Sequence, residues 1–166
     1  MNARTALPSL AGCAMLLFPA AEHARAVPDA CSLLTPAEAG GAMGAKSYPG
    51  TLMVPGNTTG CIWSDDPQAL DSSRKVALNT HTPRAFQFLK SSTSPMQKLT
   101  PVPGVGDEAY YVEYPSSKAA PPFIWFKKGD AVVSIRILIG TLPDPFSTAQ
   151  HEAKLLVLAK AAVARL

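Results

Sequence analysis

Short runs of apolar and alternating positions mark the strands of this chain. Residues 131–139, Ala-Val-Val-Ser-Ile-Arg-Ile-Leu-Ile, are almost continuously apolar, which predicts a strand in the middle of a sheet. Residues 108–114 and 123–127 have strand composition as well, and Lys128-Gly129-Asp130 reads as a tight turn into 131–139. In the first half, 47–54, 60–64 and 75–81 are predicted strands, separated by the turn signals Pro55-Gly56-Asn57 and Asp65-Asp66-Pro67.

Three segments switch to helical spacing. Thr35-Pro36-Ala37-Glu38 is a capping box, so a short helix is expected from there to about Gly44. Residues 83–90 place Ala85, Phe86 and Leu89 on one helical face, and a polar Ser-Thr-Pro stretch follows as a linker. The longest helix is expected over 144–166, capped by Asp144 or Ser147, with Leu156, Ala159, Val163 and Leu166 as its apolar stripe. The order α-βββ-α-βββ-α predicts an α+β fold: a mostly antiparallel sheet of about six strands with flanking helices, forming one domain over 27–166.

The first 26 residues read differently. Arg4, an apolar stretch at 6–21 and the small-x-small triplet Ala24-Arg25-Ala26 predict a secretory signal peptide that leaves Val27 first. That stretch is too short to span a bilayer and holds Pro8 and Pro19, so no transmembrane segment is expected in the mature chain. Leu10-Ala11-Gly12-Cys13 also matches a lipoprotein cleavage box, which leaves lipid anchoring at Cys13 as the alternative.

Export changes the meaning of the cysteines. With Cys13 removed, Cys31 and Cys61 form an even pair in an oxidising periplasmic or extracellular compartment, where a disulfide is expected. Trp63, two residues beyond Cys61 on the same predicted strand, shares its face and is expected to pack on the bridge. The 15 basic and 12 acidic residues are scattered rather than clustered, which excludes a nucleic-acid surface.

Three segments carry a resemblance: Asp29-Ala30-Cys31-Ser32-Leu33-Leu34-Thr35 before a helix, Gly60-Cys61-x-Trp63, and Val105-Gly106-Asp107-Glu108-Ala109-Tyr110 before a strand. Together they resemble a family of bacterial secreted proteins and lipoproteins that share a domain of unknown function. The resemblance implies an envelope location, a Cys31–Cys61 disulfide beside Trp63 and an α+β sandwich. It implies no activity.

No Gly-x-Ser-x-Gly elbow, His-Glu-x-x-His pair or phosphate-binding loop occurs, and Gly104-Val105-Gly106 enters a strand where a dinucleotide loop must enter a helix. No cofactor and no metal are expected. His151 and Glu152 lack a second histidine at metal spacing and read as solvated, and Asp65-Asp66 reads as a turn. One polar patch remains: Asn79, His81, Arg136 and Glu113, suited to an anionic or hydroxylated ligand if strands 75–81 and 131–139 present them together. The chain therefore reads as an exported, non-enzymatic protein that binds an envelope partner or a small ligand. A small hydrolase using His81 and its neighbours is the alternative, as is an inhibitor of an exported enzyme acting through the proline-rich loop at 115–122.

Overall fold

The computed structural model describes residues 29–54, 58–69, 71–92, 94–117, 120–141 and 143–166. The expected signal peptide, Cys13 and the cleavage site lie outside the described residues, as does the turn at 55–57.

A single 3-10 turn at Ala30–Ser32 carries Cys31 and leads into α1 (Pro36–Met43). The Thr35 hydroxyl accepts from the Glu38 amide, and the Glu38 carboxylate accepts from the Thr35 amide at 2.7 Å, so the expected capping box is formed. Gly44 closes the helix in the left-handed conformation. Strands β1 (Thr51–Met53), β2 (Thr59–Ser64) and β3 (Lys75–His81) follow, then α2 (Pro83–Ser91), capped by the Thr82 hydroxyl. Next come β4 (Lys98–Pro101), β5 (Glu108–Glu113), β6 (Phe123–Lys128) and β7 (Ala131–Leu138), and α3 (Thr148–Val163) ends the order.

All seven strands form one antiparallel sheet in the order β1-β2-β3-β7-β6-β5-β4, with β7 in the middle as its apolar run predicts. The sheet has one strand more than expected. β4 lies just beyond the Ser-Thr-Pro linker, where no element was expected: a four-residue edge strand ending in Pro101 has too few residues to show alternation, and it forms by pairing with β5. β1 is shorter than its run, and Gly50, just before it, lies against the disulfide and Trp63, where a Cβ would sit 2.5 Å from Cys61 Sγ. The loop before β5 also depends on glycine: Gly106 has φ 58° and fits against the Lys127 carbonyl, while Asp107 accepts from the Gly129 amide at 2.7 Å.

Register sorts the side chains onto two faces. Cys61, Trp63, Val76, Leu78, Val133, Ile135, Ile137, Ile124 and Phe126 share one face, all buried, and α1 and α3 pack on it. The Cys31–Cys61 disulfide (S–S 2.04 Å, Cα–Cα 5.0 Å) ties the 3-10 turn to β2 beside Trp63, which is 1% exposed. At the far end of α3, the Arg165 guanidinium donates to the Leu33 carbonyl at 3.0 Å and to Glu38 at 2.9 Å.

Of the two expected caps, Ser147 is the one that forms, in a capping box with Gln150. Two other expectations for α3 need correction: its buried positions are His151, Leu155, Leu158, Ala159 and Ala162. Leu156, Val163 and Leu166 only flank the core. Residues 155–163 are apolar almost all round, so their spacing does not fix which side faces the sheet. His151, expected to be solvated, is 1% exposed: its Nε2 lies 2.7 Å from Asp144 Oδ2, and the Phe146 ring meets its imidazole edge-on at 5.5 Å.

Candidate ligand-binding site

The opposite face of the sheet holds the polar residues. Along β3, the alternation that buries Val76 and Leu78 turns Ala77, Asn79 and His81 the other way. Asn79 pairs with Ser134 and Ala77 with Arg136 on β7, and Ser134 and Arg136 pair in turn with Trp125 and Phe123 on β6. The condition set by the sequence is thus met for three of its four residues: Asn79, His81 and Arg136 share this face.

Glu113 does not join them. It pairs with Lys98 across β4 and β5, three residues from Tyr110, which is on the polar face, so alternation puts Glu113 on the other side of the sheet. There its carboxylate binds the Lys98 ammonium at 2.9 Å. The sequence alone cannot reveal this, because side-chain direction depends on a register that only the paired strands set.

The centre of the patch is a stack. The His81 ring lies on the Trp125 indole with centroids 4.1 Å apart and planes 18° from parallel, and its Nε2 is 2.9 Å from the Ser134 hydroxyl. Removal from water, with the Arg136 cation as the lesser cause, pulls the His81 pKa from 6.5 down to about 4. The ring is therefore neutral at physiological pH. Ser134 is only 3% exposed. Among the described residues no carboxylate hydrogen-bonds to His81, so serine and histidine meet without the third group that orients a catalytic triad. Further along the face, the Arg136 guanidinium lies 3.8 Å above the Phe123 ring, which stacks with Tyr114 at 5.9 Å, and Asn79 closes over Gly60. Desolvation lowers the Arg136 pKa, opposed by the Tyr114 phenol.

Helix α2 packs on this face over β6 and β7 and reaches β5 through Phe86 and Lys90. Phe86 is its buried anchor, 6.1 Å from the Tyr110 ring. Between α2 and β6 a cleft of about 410 Å³ opens, lined by Thr82, Arg84, Ala85, Phe88, Leu89 and Trp125. Phe88 is 75% exposed, and Arg84, one turn before it on the same side of α2, is exposed too. The Trp125 indole N–H is buried yet finds no acceptor among the described residues. Sequence reasoning missed Arg84, Phe88 and Trp125 as a group. The available signal was Phe88 on the polar side of an amphipathic helix, opposite the Phe86 anchor.

Among the described residues no group of histidine, cysteine or acidic side chains has the arrangement of a metal site, and no helix is long and apolar enough to cross a membrane. Asp65 and Asp66 make a turn, accepting from the Arg74 and Gln68 amides at 2.9 Å each. Comparison with protein-family models, with curated proteins and with solved structures found no match.

Proposed function

We propose that this is an exported binding protein with no turnover of its own, and that it takes its ligand on the α2 side of the sheet, beside the His81–Trp125 stack. The observation that carries the reading is a contrast between neighbours. The Ser134 hydroxyl is buried, whereas the adjoining cleft is open and its lining includes the exposed Arg84 and Phe88. A ligand reaches the cleft; a substrate carbonyl has no path of attack from Ser134. The disulfide fits an oxidising compartment, and the resemblance to the envelope family supports the same location.

One observation favours the hydrolase alternative: the 2.9 Å approach of His81 Nε2 to Ser134 Oγ, with the imidazole neutral and so able to accept a proton. A panel of p-nitrophenyl esters of increasing acyl length separates the two. A binding protein releases nitrophenol no faster than its Ser134→Ala variant does. Turnover that disappears in Ser134→Ala and in His81→Gln, with both variants folded by circular dichroism, overturns the binding role.

A further inference from the structure

We propose that the cleft between α2 and β6 binds a carboxylate carried on a flat apolar body, with Arg84 taking the anion and Phe88, Leu89 and Trp125 taking the body. The inference rests on the binding role argued above and adds the chemical class of the ligand.

The donors and acceptors of the lining are one-sided. Thr82 already accepts from the Ala85 amide. Arg84 brings five N–H donors and has neither a carboxylate nor a carbonyl partner among the described residues. The Trp125 N–H also lacks an acceptor but is buried, so the donor that an entering ligand meets is Arg84. No acidic residue lines the cleft. The nearest acid on this face in contact with α2, Glu108, is held by Lys90 at 2.6 Å and by the Tyr110 hydroxyl at 2.7 Å. Acceptors must therefore arrive with the ligand.

The rest of the wall is apolar. Phe88 leaves most of a ring in water, and the Trp125 indole is already a stacking surface on its His81 side. A volume of about 410 Å³ suits one or two rings rather than a folded chain. One planar guanidinium above apolar walls matches a singly charged carboxylate, to which it binds through two parallel N–H bonds. A phosphate ester would bring a second charge that no residue of the lining meets.

The chemistry has two sources: a free aromatic acid, or the terminal carboxylate of a peptide ending in an aromatic residue. The two tryptophans of the chain provide the readout, because their indole N–H signals separate in a proton–nitrogen correlation spectrum and Trp125→Phe identifies which is which. The whole protein is titrated with 3-phenylpropionate and with N-acetyl-leucyl-phenylalanine, and with the amide of each. Both acids are expected to move the Trp125 signal and leave Trp63 still. The acids should bind about three- to fivefold tighter than their amides, a modest factor because Arg84 is exposed. Arg84→Gln should bring the acids down to the affinity of the amides and leave the amides unchanged. The tighter acid identifies the source.

Equal binding of acids and amides, or a preference that survives Arg84→Gln, overturns the carboxylate while leaving the cleft as a binding site. A Trp125 signal that no ligand moves at tens of millimolar overturns both the ligand class and the place. Ester turnover that depends on Ser134 is a third and separate result, and it overturns the binding role itself.

Discussion

The two tryptophans of this chain belong to one sheet and face opposite ways. Trp63 lies against a disulfide beneath two helices and is 1% exposed; Trp125 stacks on His81, only partly covered by one short helix. The face of Trp63 holds the fold together by buried area. The face of Trp125 has polar groups packed tightly enough to shift a histidine pKa, with too little helix above them to close the surface. Covering one side of a sheet fully and the other by half leaves room for binding without weakening the core.

This contrast breaks most readily on the buried side. Trp63→Ala should cost about 3 to 5 kcal/mol of folding free energy, measured by urea unfolding, because it empties a full indole volume from close-packed surroundings. A loss under about 1 kcal/mol, the level of an ordinary surface change, would mean the core face does not carry the fold. Opening the bridge by Cys31→Ser together with Cys61→Ser, so that no lone thiol remains, should cost about 2 to 5 kcal/mol, since the bridge closes a 30-residue separation.

The next effect belongs to the other face and depends on pH. Above 6.5 the His81 imidazole is neutral in both folded and unfolded chains. As pH falls from 6.5 towards about 4, the unfolded chain takes up a proton that the folded one refuses, so stability drops across that window and levels off below it. The fall should be on the order of 2 kcal/mol after solvent screening. Its check is a series of unfolding curves in which His81→Gln removes this part of the slope; an unchanged slope would remove His81 as its cause.

How far these faces were legible in the sequence follows from what each depends on. Capping at Thr35, the central place of β7 and the disulfide were readable because each rests on residues near one another in the chain or on a parity of cysteines. The grouping of Asn79, His81 and Arg136 was readable from alternation, given that β3 and β7 pair. Glu113 was misplaced because its direction follows from register accumulated across four strands, and His151 was misread because its partner Asp144 lies in a loop whose course no periodicity reports. The cleft was invisible for a related reason: Arg84 and Trp125 are far apart in sequence, and only the docking of Phe86 brings them together.

Smaller effects sharpen the assignment. Ser134→Ala removes the hydroxyl bound to His81 and should cost about 1 kcal/mol, read in the same unfolding experiment, while raising no new charge. Glu113→Gln breaks an exposed pair with Lys98 and should change stability by about 0.2 to 1 kcal/mol. It should also leave the Trp125 indole signal where it was, since the two residues face opposite sides of the sheet; a shift of that signal would reopen the question of which face Glu113 serves.

The clasp of Arg165 on the Leu33 carbonyl and the Glu38 carboxylate brings the last turn of α3 to the first turn of the described chain. Within the described residues the two ends of the fold meet at this clasp. A circular permutant that joins residue 166 to residue 29 through a few glycines and opens at the exposed Gly129–Asp130 hairpin should keep the same sheet, with the bridge still linking Cys31 to Cys61.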